Sequence, residues 1–381
     1  MTFKELPRGY NALGFLDRIF NFDTRASRSG CGAPAEGVTA PEPNHAGMER
    51  SEDDKKYPKV GRHFLMRKIL LLVNPLFEER RGRDLPRILE TFRNQGATVE
   101  LEETGVLRAA GEQARRASAE GLDAVIVCGG DGTVFEALQG LAGSQTPLGI
   151  VPFGTGNVLA QNLKIPKDPA AVVQWLLSSR PVPIPLGRIS CCPAGAGQAH
   201  KTWYFAMSAG MGLHASLMAA AQGANKKANG RQAYYTAGLK LLFQHPLQPF
   251  DIEITTPENA VLRRQVCEAI VVRVAELNFW RPGGGLTLPF LRVATVEGSS
   301  RWRLMRASLE AFLGAPGPRG RPQPENRAAR YEDAIRIVCR PIPGREYPMP
   351  LGVEADGEVL DFSSAVIEMA GTNVNLLAHA L

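Results

Sequence analysis

From residue 66 onward, apolar runs and helix-spaced segments follow one another in a regular order. The first runs are short and largely apolar, a pattern typical of strands covered on both faces: 69–73, 123–128 and 148–151. Residues 98–101 form a further candidate strand. Helical spacing is found between and after these runs, at 85–94, 109–119, 133–141 and about 156–163. This alternation predicts a parallel sheet with helices on both faces.

The pattern changes after Pro181-Val182-Pro183-Ile184-Pro185, where strand-like stretches become dominant. The predicted strands are 203–207, 250–255, 269–274, 335–339, 352–355 and 365–369, with one helix at 234–243 and a Pro/Gly/Arg-rich loop at 314–324. The sequence therefore predicts an α/β domain followed by a mostly β domain, a fold class of α/β plus β.

Residues 1–65 differ from the rest of the chain. Residues 26–57 are rich in Gly, Pro, Ser and charge and have few large apolar side chains, so they bury too little surface to offset chain entropy. We predict a disordered extension over 1–65. An alternative hypothesis is that Met66 is the true initiator.

Composition narrows the class of protein only a little. The chain has 381 residues, 44% of them hydrophobic, and a formal charge of +6. This basic excess suits nucleotides, acidic lipids or nucleic acid without choosing among them. None of the six cysteines is in a C-x-x-C pair, which argues against zinc. No apolar run reaches the ~18 residues that a membrane span needs. We expect a cytoplasmic protein that contacts a membrane only from its surface.

The most informative segment is Gly129-Gly130-Asp131-Gly132-Thr133, which lies between a predicted buried strand and a helix. Glycines let ligand atoms approach the backbone, and a helix N-terminus offers free N–H groups and a positive dipole end. The segment therefore predicts a phosphate-binding turn. An acid inside such a turn suits magnesium binding or proton transfer, although an ordinary β–α turn with Asp131 as a cap is the alternative.

A second turn, Pro152-Phe153-Gly154-Thr155-Gly156-Asn157, has the same strand–turn–helix setting. Turns at the carboxyl ends of neighbouring parallel strands face one crevice, where open α/β sheets bind ligands. The sequence lacks G-x-x-x-x-G-K-[ST], which excludes a P-loop kinase.

A third acidic turn, Glu354-Ala355-Asp356-Gly357-Glu358, lies near the end of the chain. Asp-Gly between two strand-like runs predicts a hairpin. The functional alternative makes one of these carboxylates a general base or a magnesium ligand.

Taken together, GGDGTVFEALQGL (129–141), PFGTGNVLAQNL (152–163) and the late Asp356-Gly357-Glu358 resemble the diacylglycerol kinase catalytic-domain family, which includes sphingosine and ceramide kinases. The resemblance implies a nucleotide-binding α/β domain over 66–185, similar to that of NAD kinases. It further implies a β-sandwich-like lipid-substrate domain over 186–363 and a final segment, 364–381, that returns to the first domain. The implied activity is transfer of the γ-phosphoryl of ATP to a lipid hydroxyl with Mg²⁺.

The family's roles carry over to matching positions. Glu358 would be the base for the lipid hydroxyl, with Asp131 and Asp356 as magnesium ligands or sharing the base role. The residues expected to contact the nucleotide are Asn74, Thr104, Gly129, Gly130, Asp131, Gly132, Thr133, Glu136, Gly154, Thr155 and Asn157.

Two departures from the family are visible. The loop after Asn74-Pro75 is bulky (Leu76-Phe77-Glu78-Glu79), where the family has small residues, although Arg80, Arg81 or Arg83 could compensate. The segment after Gly283-Gly284-Gly285 does not follow the family's spacing, so we predict no second, structural magnesium site.

The segment 302–313 (WRLMRASLEAFL) predicts an amphipathic helix with Leu304, Met305, Ser308, Leu309 and Phe312 on one face and arginines nearby. Either a core-packed helix or a membrane-interface helix fits this pattern.

The expected partner is a lipid substrate at a membrane surface, without nucleic acid and without a membrane-spanning segment. Two other functions stay open: a NAD-kinase-like enzyme and a catalytically weak lipid- or nucleotide-binding relative. The sequence does not identify the acceptor lipid, and a homodimer stays an open alternative.

Overall fold

The computed structural model describes residues 66–105, 109–192, 201–216, 246–277, 280–312, 327–347, 351–360 and 364–379. The predictions for 1–65, for the helix at 234–243 and for the loop at 314–324 lie outside these residues. The strands of the first part are β1 (Lys68–Val73), β2 (Thr98–Glu103), β3 (Ala124–Gly129) and β4 (Leu148–Pro152). The strands that follow are β5 (Arg180–Cys192), β6 (Lys201–Phe205), β7 (Ser208–Gly212), β8 (Phe250–Thr255), β9 (Val261–Val272), β10 (Leu291–Glu297), β11 (Arg330–Ala334), β12 (Arg336–Arg340), β13 (Val353–Ala355), β14 (Glu358–Val359) and β15 (Ser364–Ala378).

The first four strands are parallel and lie in the order β2-β1-β3-β4. Every residue of β3 and β4 is buried, as is β1 after Lys68. This two-sided burial explains why the strands appear in the sequence as continuous apolar runs. The predicted α/β order is confirmed for this part of the chain.

The described helices are α1 (Glu78–Asn94), α2 (Ala109–Ala119), α3 (Asp131–Leu141), α4 (Val158–Asn162), α5 (Pro169–Ser178) and α6 (Arg301–Phe312), with a short 3₁₀ turn at Pro75–Phe77 before α1. Helix α5 was absent from the sequence prediction. Its N-terminus is nevertheless encoded locally, because the Asp168 carboxylate accepts a hydrogen bond from the Ala171 N–H (2.9 Å) and Pro169 occupies the first turn.

The strand-rich part confirms the second half of the predicted fold class. Strand β5 runs from residue 180 to 192 and contains Pro181, Pro183 and Pro185, which the sequence pattern had suggested to be a break between domains. Alternate residues of a strand direct their N–H groups to the same side, so these prolines remove donors from one edge only. Among the described strands, β15 alone pairs with residues 180–185, on the edge opposite the one that the prolines leave without donors.

The last strand connects the two parts of the sheet. β15 pairs antiparallel with β5 and β12, and its Leu376 pairs with Leu148 of the parallel strand β4. The path through the sheet is β14-β13-β7-β9-β8-β12-β15-β4-β3-β1-β2. Strand β15 therefore lies between the parallel strands β1 to β4 and the strands that lead to β14.

Within the described residues, this arrangement forms two buried cores. One is centred on β1, β3, β4 and the helices that cover them, and it includes Leu70, Ile126 and Leu138. The other fills the strand-rich part between β5 and β13 and includes Phe205 and Phe250. The β13–β14 hairpin lies at the far end of the path, in the second part.

Candidate active site

The loops that follow the parallel strands lie side by side. The Thr104 N–H donates to the Val73 carbonyl (2.9 Å), and the Asn74 N–H donates to the Cys128 carbonyl (3.1 Å). The Phe153 N–H donates to the Gly129 carbonyl (2.9 Å). These bonds extend the ladder beyond the strands, so the loops after β2, β1, β3 and β4 form one row at the edge where α/β sheets bind ligands.

The first glycine turn leads directly into helix α3. Gly130 is the N-cap residue in extended conformation, and its carbonyl accepts hydrogen bonds from Thr133 and Val134 (both 3.1 Å). Asp131 and Gly132 thus lie in the first helical turn, and their N–H groups have no partner within the helix. This geometry suits a bound anion.

Asn74 connects the loop after β1 to this turn. Its side-chain Nδ2 donates to Thr133 Oγ1 (2.7 Å), while its Oδ1 accepts the Leu76 N–H (2.9 Å). Thr133 is 6% exposed. The two side chains predicted to bind nucleotide therefore bond each other in this structure and fix the loop against the helix.

The second glycine turn packs directly against the first. A Cβ on Gly154 would lie 2.7 Å from Gly130 Cα and 2.8 Å from the side chain of Asn157, so only glycine allows this approach. Asn157 adopts the left-handed conformation with φ 46°, and its Nδ2 donates to the Gly154 carbonyl. The two predicted phosphate turns thus form one continuous backbone surface.

Asp131 holds the two turns together. Its Oδ2 accepts the Val158 N–H (3.1 Å) and its Oδ1 accepts the Leu159 N–H (3.5 Å), at the start of helix α4. Burial raises the pKa of Asp131, while hydrogen bonds from the backbone of Val158, Leu159 and Asn157 act in the opposite direction. The sequence alternatives for Asp131 were a cap, a magnesium ligand and a proton-transfer group. These contacts give it a capping role on α4, not on its own helix.

The third acidic turn is brought to the same place. Ala355 and Glu358 pair across the β13–β14 hairpin, with Asp356 (φ 49°) and Gly357 (φ 85°) forming its turn. A Cβ on Gly132 would lie 2.6 Å from Glu358 Oε1. The Glu358 carboxylate therefore lies against the first turn of α3, although the two segments are far apart in the sequence.

Asp356 has a different environment from Glu358. It is 5% exposed, and its carboxylate accepts three backbone N–H groups, from Ala206 (2.9 Å), Met207 (2.7 Å) and Ser208 (2.9 Å). Burial raises its pKa to about 7, and these three hydrogen bonds act against that shift. Both carboxylate oxygens are thus engaged in fixing the hairpin to the connection between β6 and β7.

Arg273 supports the same connection from its other side. It is fully buried, its N–H donates to the Met207 carbonyl (2.7 Å), and its guanidinium donates to the carbonyls of Pro185 (2.7 Å) and Leu286 (2.9 Å). Burial lowers its pKa to about 10, and the charge of Asp356 acts in the opposite direction.

A buried group of acids lies behind the hairpin. Glu354 Oε2 accepts the Gly357 N–H (2.9 Å), and its Oε1 lies 3.6 Å from His214 Nε2. The backbone N–H of His214 donates to Glu268 Oε2 (3.0 Å). Burial raises the pKa of Glu268 to about 8 and that of Glu354 to about 7, and it lowers the pKa of His214 to about 4. These residues support the Asp356–Glu358 turn.

Sequence reasoning overlooked His214, Glu268 and Arg273. No motif marks them, because their relation to the hairpin depends on pairing between β7, β9 and β13. Glu354 did belong to the acidic turn that the sequence singled out, but its support of Gly357 could be seen only in the fold.

The bulky loop after Asn74 packs onto the glycine turns. Phe77 contacts Phe153 edge to face, with ring centroids 6.5 Å apart, and its ring tip would lie 3.5 Å from a Cβ on Gly130. Leu76 is 74% exposed, and the Arg83 guanidinium bonds the Asp84 carboxylate (2.7 Å). The side chains of Arg80 and Arg81 lie outside the described residues.

The remaining predicted residues line the same edge less closely. Thr104 is 4% exposed at the end of β2, and Glu136 is partly buried one turn into α3. Thr155 is exposed at the tip of the second turn. The assignment of these three residues to the nucleotide stays a prediction.

The structure fits a phosphate group better than an isolated metal ion. The close approach of Gly130 and Gly154 and the first turn of α3 form a cradle that side chains would fill. Among the described residues, no group of three or more His, Cys, Asp or Glu could hold a metal ion. The assignment of Asp131 and Asp356 to magnesium stays a prediction, and it requires further ligands from a bound phosphate.

Comparison with known proteins agrees with these motifs. Residues 68–189 match the family model described as the diacylglycerol kinase catalytic domain. A diacylglycerol kinase of Mycobacterium tuberculosis (strain CDC 1551 / Oshkosh) is 32% identical over 209 residues, which cover 52% of this chain and 63% of the relative. A diacylglycerol kinase of Bacillus subtilis (strain 168) is 29% identical over 193 residues, covering 50% of this chain and 59% of the relative. The chain thus spans less than two thirds of either relative.

A solved structure shows the fold. The crystal structure of a diacylglycerol kinase from Bacillus anthracis (strain Sterne) superimposes with a TM-score of 0.54 at 16% identity, covering 82% of this chain and 97% of that one. At this identity the likeness shows the shared fold alone.

Proposed function

Since the chain belongs to the diacylglycerol kinase catalytic-domain family through residues 68–189, we propose that it is an ATP-dependent lipid kinase. It transfers the γ-phosphoryl of ATP to the hydroxyl of a diacylglycerol-like or sphingoid-like lipid. The substrate, the use of ATP and the site residues are all part of this proposal.

One observation supports the lipid-kinase proposal more directly than the others. Glu358, from the strand-rich part, lies against Gly132 in the first turn of α3. An anion-binding helix terminus and a carboxylate therefore share one location. Phosphoryl transfer needs this pair of elements, because it depends on positioning the phosphates and on accepting the proton of the attacking hydroxyl.

We assign the positioning of the phosphates to backbone groups. The N–H groups at the start of α3 and the adjoining second turn face the triphosphate, with Asn74 and Thr133 fixing the first turn. Bound Mg²⁺ would neutralise phosphate charge. Thr104, Glu136, Thr155 and Asn157 complete the nucleotide-contacting set in this proposal.

We assign the acceptor step to Glu358. The lipid hydroxyl oxygen forms a bond to the γ-phosphorus as its proton passes to the Glu358 carboxylate. The bond from the γ-phosphorus to the β–γ bridging oxygen breaks, and ADP leaves. Glu358 later returns the proton to solvent.

Asp131 and Asp356 act in this proposal mainly through position. Asp131 joins the two glycine turns through the α4 backbone, and Asp356 fixes the hairpin that carries Glu358. A share in metal binding would add to these contacts without replacing them.

The experiment incubates the full chain with γ-labelled ATP and Mg²⁺, in separate reactions with diacylglycerol micelles, sphingosine micelles or NAD. The proposal expects label in one of the lipids and none in NAD. Label in NAD alone would favour the NAD-kinase-like alternative. ATP binding without label in any acceptor would favour the catalytically weak relative, and either outcome would overturn the lipid-kinase proposal.

A further inference from the structure

Helix α6 (Arg301–Phe312) has two contrasting faces. Leu304 and Ala307 are 4% and 8% exposed, and Ala311 packs partly buried against the same core. Trp302 and Leu309 are 77% and 54% exposed. The sequence had predicted Leu304 and Leu309 on one face, but the structure directs the first into the core and the second away from it.

One stripe of the helix carries the exposed Trp302, Arg306 and Leu309 together with the half-buried Met305. Positions 302, 305, 306 and 309 share a face because residues three, four and seven apart are neighbours on a helix. The stripe therefore contains Trp302, Met305, Arg306 and Leu309. Two of the five large hydrophobic residues that are exposed in the described part of the chain lie on it.

This exposure is unusual for the residue types involved. A tryptophan buries a large apolar ring and usually loses solvent contact in a folded protein, and its indole N–H suits a site with one apolar and one wet side. Membrane interfaces offer such a site, and tryptophan is enriched there.

The charges around the stripe favour an anionic partner. Helix α6 has three arginines and one acid, Glu310. Arg301 and Arg303 lie on the two borders of the stripe, and Arg306 lies within it. Arg306 pairs with Glu310 (3.0 Å) and Arg303 with Glu297 (3.9 Å), and in both pairs the arginine is exposed and the acid is partly buried. Such surface pairs are weak and readily exchange for phosphate oxygens.

We propose that the outward face of α6, defined by Trp302, Met305, Arg306 and Leu309, binds the interface of a membrane that contains anionic phospholipid. The apolar side chains enter the headgroup boundary, and the arginines contact lipid phosphates. Among the described residues, no helix is long and apolar enough to cross a membrane. This surface does not depend on the proposed kinase activity, so each is tested separately.

The test measures sedimentation of the full chain with vesicles of equal parts phosphatidylcholine and phosphatidylglycerol. We expect Trp302→Ser combined with Leu309→Ser to weaken the partition coefficient by about tenfold or more, from the apolar area withdrawn from lipid. Arg306→Gln should weaken binding to these vesicles and leave binding to pure phosphatidylcholine unchanged.

Leu101→Ser is the matched control. Leu101 is also an exposed apolar residue (46%), but its strand neighbours are Glu100 and Glu102, so its loss should not alter binding. All variants share the rest of the chain, and their folding is checked by thermal unfolding. Because Trp302 and Leu309 are exposed, their replacement should leave the unfolding temperature nearly unchanged.

Two results would overturn the proposal. One is vesicle binding by the double variant that equals that of the unaltered chain. The other is a concentration-dependent dimer that the double variant abolishes in the absence of vesicles, because the stripe would then bind a second copy of the chain.

Discussion

Glu358 Oε1 lies where a methyl group on Gly132 would be only 2.6 Å away. The two residues belong to different motifs: Glu358 lies in β14, at one end of the sheet path, and Gly132 follows β3, near the other end. Their contact gives the glycine turn a carboxylate beside its helix terminus. It also makes the absence of a side chain at position 132 a requirement for that carboxylate's position.

Gly132→Ala should therefore displace Glu358 and reduce phosphoryl transfer. Alanine is favoured over glycine within a helix, so loss of helix propensity cannot account for the effect. The contact also predicts a coupling free energy between Gly132→Ala and Glu358→Ala of about 0.5–3 kcal/mol in a double-mutant cycle of urea unfolding.

Gly82→Ala is the control for this variant. Gly82 lies in α1, and a Cβ there would meet nothing within 4 Å. Activity should be unaltered and stability equal or higher. Additive unfolding free energies for Gly132→Ala and Glu358→Ala would show that the contact is absent in solution.

Asp356→Asn should destabilise the fold. Asparagine tolerates the left-handed backbone that Asp356 adopts, so the change isolates the loss of carboxylate acceptors for three N–H groups. We expect a loss of about 1–3 kcal/mol in the free energy of unfolding, since at least one buried N–H loses its acceptor.

The measurement is chemical unfolding with and without Mg²⁺. If Asp356 instead serves only as a metal ligand, the variant would keep its unfolding free energy and show an altered Mg²⁺ requirement for activity. That combination would rule out the positioning role.

Much of this arrangement could be predicted from the sequence, for identifiable reasons. Buried parallel strands appear as apolar runs, and glycines after them mark turns, so the loops at Asn74, Gly130 and Gly154 were found. Helix α5 was overlooked because only its Asp168-Pro169 start is distinctive. The prolines of β5 suggested a break between domains. They are accommodated in a strand because residues 180–185 pair with β15 on one side.

The side-chain relations inside the site could not be predicted in the same way. Asp356 and Ala206 are 150 residues apart in sequence, and their hydrogen bond depends on the pairing of β13 with β7. The expected face of α6 was wrong because Leu304 and Leu309 have similar hydrophobicity, and only contact with the core distinguishes them.

Glu268 should make stability depend on pH. Burial raises its pKa to about 8 from an ordinary 4.5, so the folded state holds a proton that the unfolded state releases. The resulting stabilisation is complete below pH 4.5 and is lost as pH rises through about 8. Over roughly pH 6 to 8, the unaltered chain should lose stability relative to Glu268→Gln.

The measurement is the difference in unfolding free energy between the two proteins at each pH. His214, with its pKa lowered to about 4, and Glu354, with its pKa raised to about 7, titrate in both proteins, so their own contributions cancel in this difference to first order. A constant difference between Glu268→Gln and the unaltered chain would contradict the prediction.

The most direct test of the central claim is the turnover of Glu358→Gln with the acceptor lipid identified by the labelling experiment. Glutamine keeps the size of the side chain and removes its capacity to accept a proton. We predict that kcat falls by about 10²–10⁴-fold while KM for ATP changes little, because the phosphate turn is intact. A kcat within about twofold of the unaltered enzyme, a ratio that corresponds to a negligible change in the activation barrier, would contradict the account.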